Sequence, residues 1–117
     1  MASFAQTTII GRIGADADVN YTPNGHLYVK FNVATDKWVP KGQDPKTVWY
    51  RVTLWGKLAE TMANLIEQNG ALGKGDQVFV QGELDAPEPF QGNDGTWRAS
   101  LELTGRDLQL LSQRNGG

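Results

Sequence analysis

A chain of 117 residues and 12.8 kDa has room for one hydrophobic core, and 39% hydrophobic residues, with eleven Phe, Tyr and Trp, exclude both disorder and a fibrous repeat. Thirteen acids against eleven Lys and Arg leave a formal charge of −2 and a pI near 5.3, a whole-chain balance that argues against a simple basic nucleic-acid binder. The lack of cysteine excludes disulfides and thiolate metal sites.

Along most of the chain apolar residues recur with period two, the mark of strands with one buried face. The first strand is expected over about Gln6–Gly14. The preceding start has no basic segment followed by an apolar stretch of signal-peptide length. No run in the chain approaches the roughly 18 apolar residues of a membrane span, so a cytoplasmic protein is expected. A polar stretch leads to Thr22-Pro23-Asn24-Gly25, where Pro presets φ and Asn-Gly tolerates positive φ. A second strand, Leu27–Thr35, directs Leu27, Val29, Phe31 and Val33 inward and Tyr28, Lys30, Asn32 and Ala34 outward. The loop Asp36–Lys46 is broken by Pro40, Gly42 and Pro45, and a third strand covers Thr47–Trp55.

From Leu58 to Glu67 the period changes. Leu58, Met62, Leu65 and Ile66 form one stripe of a short helix, stopped by Asn69-Gly70. A fourth strand, Gln77–Leu84, turns Val78, Val80, Gly82 and Leu84 inward. The loop Asp85–Thr96 precedes a fifth strand, Trp97–Thr104, with Leu101 and Leu103 inward. An apolar segment, Leu108–Leu111, closes a domain spanning residues 1–111, and residues 112–117 read as a disordered tail. Three strands, a lone helix and two further strands is the element order of an all-β, five-stranded OB-fold barrel. An immunoglobulin-like sandwich would need about seven strands and no helix.

The third strand has the sharpest alternation. Val48, Tyr50, Val52 and Leu54 are the natural inward set, which leaves Trp49, Arg51, Thr53 and Trp55 outside. Two indoles flanking a guanidinium are avoided on an exposed strand unless something covers them. A polyanion with stackable bases covers them well, at roughly 1 to 3 kcal/mol per stacked base, while the guanidinium meets phosphate. Arg12 on the first strand and Tyr28, Lys30 and Asn32 on the second extend this face. Lys37, Trp38, Lys41 and Lys46 in the long loop form a second basic-aromatic cluster able to fold over it. Trp and Arg also anchor protein interfaces, so a protein partner is the alternative. Phe90 in a loop and Trp97 at a strand start are weaker members of the set, each as readily a local plug or a core edge.

Catalysis lacks its groups. His26 is the only histidine and falls in a turn, Asp16 with Asp18 reads as a polar loop, and Gly11 and Gly14 precede no helix and no Gly-Lys-Ser or Gly-Lys-Thr. No enzymatic activity, metal or cofactor is expected.

From Ile9 to Leu111 the chain resembles the bacterial single-stranded DNA-binding protein (SSB) family. The matching pieces are Ile10-Gly11-Arg12-Ile13-Gly14 followed by Asp16, Tyr21-Thr22-Pro23-Asn24-Gly25, and Val33-Ala34-Thr35. The strongest are Trp49-Tyr50-Arg51-Val52 running into Trp55-Gly56-Lys57-Leu58-Ala59-Glu60, and the strand Gly75 to Leu84. The resemblance implies an OB-fold homotetramer that wraps single-stranded DNA without sequence preference in replication, recombination and repair, associated with the nucleoid. It also implies that Trp38, Trp49 and Trp55 stack bases, that Phe90 matches a loop tryptophan, that Lys57 lies within the binding motif and that Tyr50 lies at a subunit contact. Three departures stand out. Asp85-Ala86-Pro87-Glu88-Pro89 replaces a basic strand extension, the segment Thr61–Gly75 is several residues longer than usual, and these 117 residues hold no acidic, aromatic-ended tip of the kind that recruits replication and repair proteins. The acidic loop motivates a rival reading, an OB-fold replisome adaptor of the primosome type acting mainly through protein contacts. RNA binding of the cold-shock type is a third, since stacking is blind to the sugar.

The charge of −2 averages two unlike halves. Residues 1–57 hold seven Lys and Arg against four acids, and residues 58–117 hold four against nine. The first three strands, which carry the tryptophan face, are therefore basic, and a nucleic-acid strand is expected to lie there.

Overall fold

The computed structural model describes residues 3–37, 39–86, 89–98 and 101–112. Its elements are β1 (Thr7–Ile13), β2 (Asp18–Tyr21), β3 (Leu27–Lys37), β4 (Lys46–Trp55), α1 (Gly56–Asn69), β5 (Gln77–Leu84), β6 (Phe90–Gln91), β7 (Trp97–Arg98) and β8 (Leu101–Ser112). The sheet order β1-β5-β8-β4-β3, with β1 also pairing β3, closes a five-stranded barrel, to which β2 is added along β3. With α1 between β4 and β5, this is the OB-fold expected from the element order.

Alternation builds the interior. Val29, Val33, Val52, Leu54, Val78 and Val80 are fully buried, and Ile9, Ile13, Phe31 and Leu103 nearly so. Each large side chain of this kind contributes about 1.5–3 kcal/mol on burial. Helix α1 adds Ala59 and Met62 to this core, with Leu58, Leu65 and Ile66 packed at its margin. Strand β4 runs into the helix without a connector. Trp55 is the N-cap, with extended backbone at φ −126° and ψ 164°, and Gly56 makes the turn at φ +64°. The helix thus starts two residues before Leu58. It stops where Asn69-Gly70 predicts, with Gly70 at φ +66° and its N–H donating to the Ile66 carbonyl at 3.0 Å.

Several boundaries differ from the sequence reading. The polar stretch after β1 holds β2, Asp18-Val19-Asn20-Tyr21, whose four residues are all exposed and too few for their alternation to mark a strand. β3 and β4 extend until Lys37 pairs with Lys46, which shortens the long loop. Leu84 and Leu101, expected inward, lie at barrel ends and are largely exposed. The predicted fifth strand and the final apolar segment belong to different elements than expected. Trp97 and Arg98 pair with Phe90 and Gln91, whereas β8 runs unbroken from Leu101 to Ser112, parallel to β4 in its first part and antiparallel to β5 along its length. Gly105 is a packing notch in that strand, not a break, because a Cβ there would stand 2.6 Å from Cδ2 of Leu54. Of the predicted tail, Ser112 pairs with Gln77, and residues 113–117 lie outside the described residues. Among the described residues no helix is long and apolar enough to cross a membrane.

Two glycines permit closure. A Cβ on Gly11 would collide with the Ala34 carbonyl where β1 meets β3, and one on Gly82 with the Thr104 carbonyl where β5 meets β8. Gly82→Ala is expected to destabilise the fold by about 1–3 kcal/mol through backbone displacement, read as a lowered urea midpoint with an unchanged m-value.

Candidate nucleic-acid interface

The outer face of β3 and β4 is laid out by their antiparallel register. Tyr28 stands opposite Trp55, Lys30 opposite Thr53, Asn32 opposite Arg51, and Ala34 opposite Trp49. These residues face outward because their neighbours Val29, Val33, Val52 and Leu54 fill the barrel. Trp49 and Trp55 remain 52% and 44% exposed, although each indole is large enough to fill a core position. They stand six residue steps apart along the strand, about 20 Å, so they offer two separate stacking places. Trp55 packs against Tyr28 with ring centroids 5.2 Å apart and planes tilted by 40°, and the Lys30 ammonium lies 5.9 Å from the Tyr28 ring.

Cations flank this strip at both ends. Lys57 is exposed in the first turn of α1, beyond Trp55. At the other end Lys37 and Lys46 are directly opposed across the hairpin, and Lys41 is exposed in the turn where the Gln43 N–H donates to the Pro40 carbonyl at 3.1 Å. Like charges directly opposed on a sheet are unfavourable, and an anion lying between them relieves the cost. Arg12 belongs to the same row as Ala34 and Trp49, with its guanidinium donating to the Gly75 carbonyl at 2.9 Å. Trp38 lies outside the described residues. Phe90 and Trp97 are placed by their backbones in the β6–β7 ribbon, apart from the barrel strands, and their side chains are outside the described part.

Three features escape the sequence pattern. Arg51 is paired with Glu102, Nη1 to Oε1 at 3.7 Å, both side chains about half exposed, because the parallel register of β4 and β8 puts the two side by side. An exposed pair of this kind is worth about 1 kcal/mol or less, so phosphate competes with it readily. Gly14, read from sequence only as a strand end, is a seat for Trp49, since a Cβ there would stand 2.5 Å from Cζ3 and 2.7 Å from Cη2 of the indole. Asp18 stands opposite Lys30, so β2 brings a carboxylate to the border of the face. The remaining polar candidates have structural partners. The Asp16 Oδ1 accepts the Lys74 N–H at 2.8 Å, and His26 is held in its turn by its N–H donating to Thr22 Oγ1 at 3.0 Å. No group of three or more His, Cys, Asp or Glu able to hold a metal occurs among the described residues.

A closed OB barrel with exposed indoles and cations along two adjacent strands defines a binding module. The sequence profile of the Single-strand binding protein family matches residues 4–111. Single-stranded DNA-binding proteins of Neisseria meningitidis strains Z2491 and MC58 are each 32% identical over 116 residues. The match covers 97% of this chain, which spans 63% of the length of those relatives. Single-stranded DNA-binding protein 1 of Xylella fastidiosa is 32% identical over 118 residues, and 82% of its length is covered. The chain belongs to the single-strand binding protein family. Its barrel also superposes on a Plasmodium falciparum SSB solved in complex with ssDNA, with a TM-score of 0.68 and 25% identity over 96% of this chain and 98% of the other.

Gly14→Ala is expected to push the Trp49 indole off its seat. In a two-dimensional NMR spectrum the Trp49 indole N–H resonance should move, while that of Trp55, at the other end of the strip, should stay in place.

Proposed function

We propose that the chain is a non-catalytic protein that coats single-stranded DNA during replication, recombination and repair, in the nucleoid-associated cytoplasm, by stacking bases and contacting phosphates. The observation that carries this reading is the outer face of β3 and β4, where Trp49 and Trp55 stand exposed on either side of Arg51. The names of the relatives and the ssDNA in the Plasmodium complex support it over the adaptor reading. Trp49, Trp55 and Tyr28 supply ring surfaces. Lys30, Arg51, Lys57, Arg12, Lys37 and Lys41 supply charge, and Asn32 and Thr53 supply hydrogen bonds between the two rows of rings. Trp38 and Phe90 are assigned to the same path through the family resemblance, and Trp97 only as a further aromatic of the sequence.

The homotetramer belongs to the same proposal. It is supported by Ile10 and Leu111, exposed on the wall formed by β1, β5 and β8, and by Tyr50, half-buried at the barrel end opposite the exposed Leu101. Burial of such a wall against other copies removes apolar surface that a monomer leaves in water. Light scattering of the purified chain should give about four times 12.8 kDa, and a monomer mass would remove the tetramer from the proposal.

Oligomers of dT should quench the tryptophan fluorescence at low salt, and the absence of quenching would overturn strand binding. Affinity should fall with salt at a slope of about −0.7 per phosphate neutralised. Trp49→Ala and Trp55→Ala should each weaken binding by about 1–3 kcal/mol, the worth of one stacked base.

A further inference from the structure

Next to Trp55 the strip opens into a recess of about 340 Å3, lined by Tyr21, Tyr28, Trp55, Lys30, Thr104 and Asp85 among others. Its volume is at the small end of ligand pockets and leaves room for a flat ring. Two features of the lining differ from the rest of the strip. Aromatic side chains gather here from β2, β3 and β4, whereas among the described residues the recess beside Trp49 adds only Tyr50 from the same strand. The recess also holds a carboxylate. Asp85 follows the last residue of β5 and is tied to β8 twice, its N–H donating to the Glu102 carbonyl at 2.8 Å and its Oδ1 accepting from Thr104 Oγ1 at 3.2 Å.

A carboxylate on a surface that binds a polyanion is unfavourable toward phosphate, and here it stands where the family resemblance leads one to expect a basic extension. Toward a base edge its effect has the opposite sign. A carboxylate has about four acceptor positions and no donor, and the Thr104 hydroxyl uses one of them. It therefore selects for a base that donates. Cytosine presents its N4 amine where thymine presents the O4 carbonyl, so the first is attracted by Asp85 and the second repelled, while both stack comparably on an indole.

We infer that this recess is a nucleobase subsite that favours bases carrying an exocyclic amine, cytosine over thymine, with Asp85 as the specificity-determining acceptor. The inference rests on the single-strand reading above and adds a bias at one position to binding that is otherwise indifferent to sequence.

The test is a titration of the intact chain with dC and dT oligomers of equal length, at pH 8 and one salt concentration, followed by tryptophan fluorescence. The dC oligomer should bind about three- to tenfold more tightly, the effect of one added hydrogen bond. In Asp85→Asn that ratio should fall to about one, because an amide can donate to O4 as well as accept from N4. Binding of dT as tight as that of dC overturns the subsite. So does a dC preference that persists undiminished in Asp85→Asn, because the selectivity then belongs to another residue. Quenching by neither oligomer overturns the single-strand reading itself, an outcome distinct from equal binding of both.

Discussion

Closure of the barrel is the constraint from which the rest of the molecule follows. β1 pairs with β5 on one side and β3 on the other, so all five strands have an inside, and period-two geometry then assigns every residue to the core or to the surface. In β4 this leaves no freedom. With Val52 and Leu54 fully buried, Arg51, Thr53 and Trp55 must point outward, and a one-residue slip would bury the guanidinium and expose the aliphatic set. The backbone that carries the aromatic display is therefore fixed by the core beneath it, so the places of the rings are set before a base arrives.

The same closure decides how charge is distributed. By sequence the first half is basic and the second acidic, but the sheet order interleaves the halves, since β8 from the second half lies directly beside β4 from the first. Glu102 thereby sits against Arg51 and Asp85 comes to the recess by Trp55, while Asp18, from the first half itself, stands opposite Lys30. The basic strip is a channel with acidic banks, not the basic half-domain that the division of the chain implied. Such banks weaken non-specific attraction to polyanion and confine a bound strand to the line of rings.

What could be read from the sequence is what depends on local periodicity. The inward set of β3 and β4, the stripe and stop of α1, and the outward placement of Trp49, Arg51 and Trp55 all follow from spacings of two or of three and four. What could not be read depends on contacts between distant segments. β2 is exposed on all its residues and too short for its alternation to be read, so its pairing with β3 defines it. The Arg51–Glu102 pair and the seat that Gly14 provides for Trp49 exist through strand register and close approach across the sheet. The strand predicted to end at Thr104 continues for the same kind of reason, because Gly105 lies where Leu54 packs against β8 and leaves no room for a Cβ.

Among the described residues the β4–β8 pairing is the only parallel one in the barrel, and it joins the middle of the chain to its last strand. The β2–β3–β4 meander, by contrast, is made of neighbours in sequence whose pairing closes only short loops. A partly made chain thus carries both indoles and Arg51 before Glu102 exists to neutralise the guanidinium, and before β8 covers the open edge of β4. Without its last strand the chain leaves an edge of β4 unpaired and the guanidinium beside it uncompensated, and that strand both closes the barrel and ends the exposure.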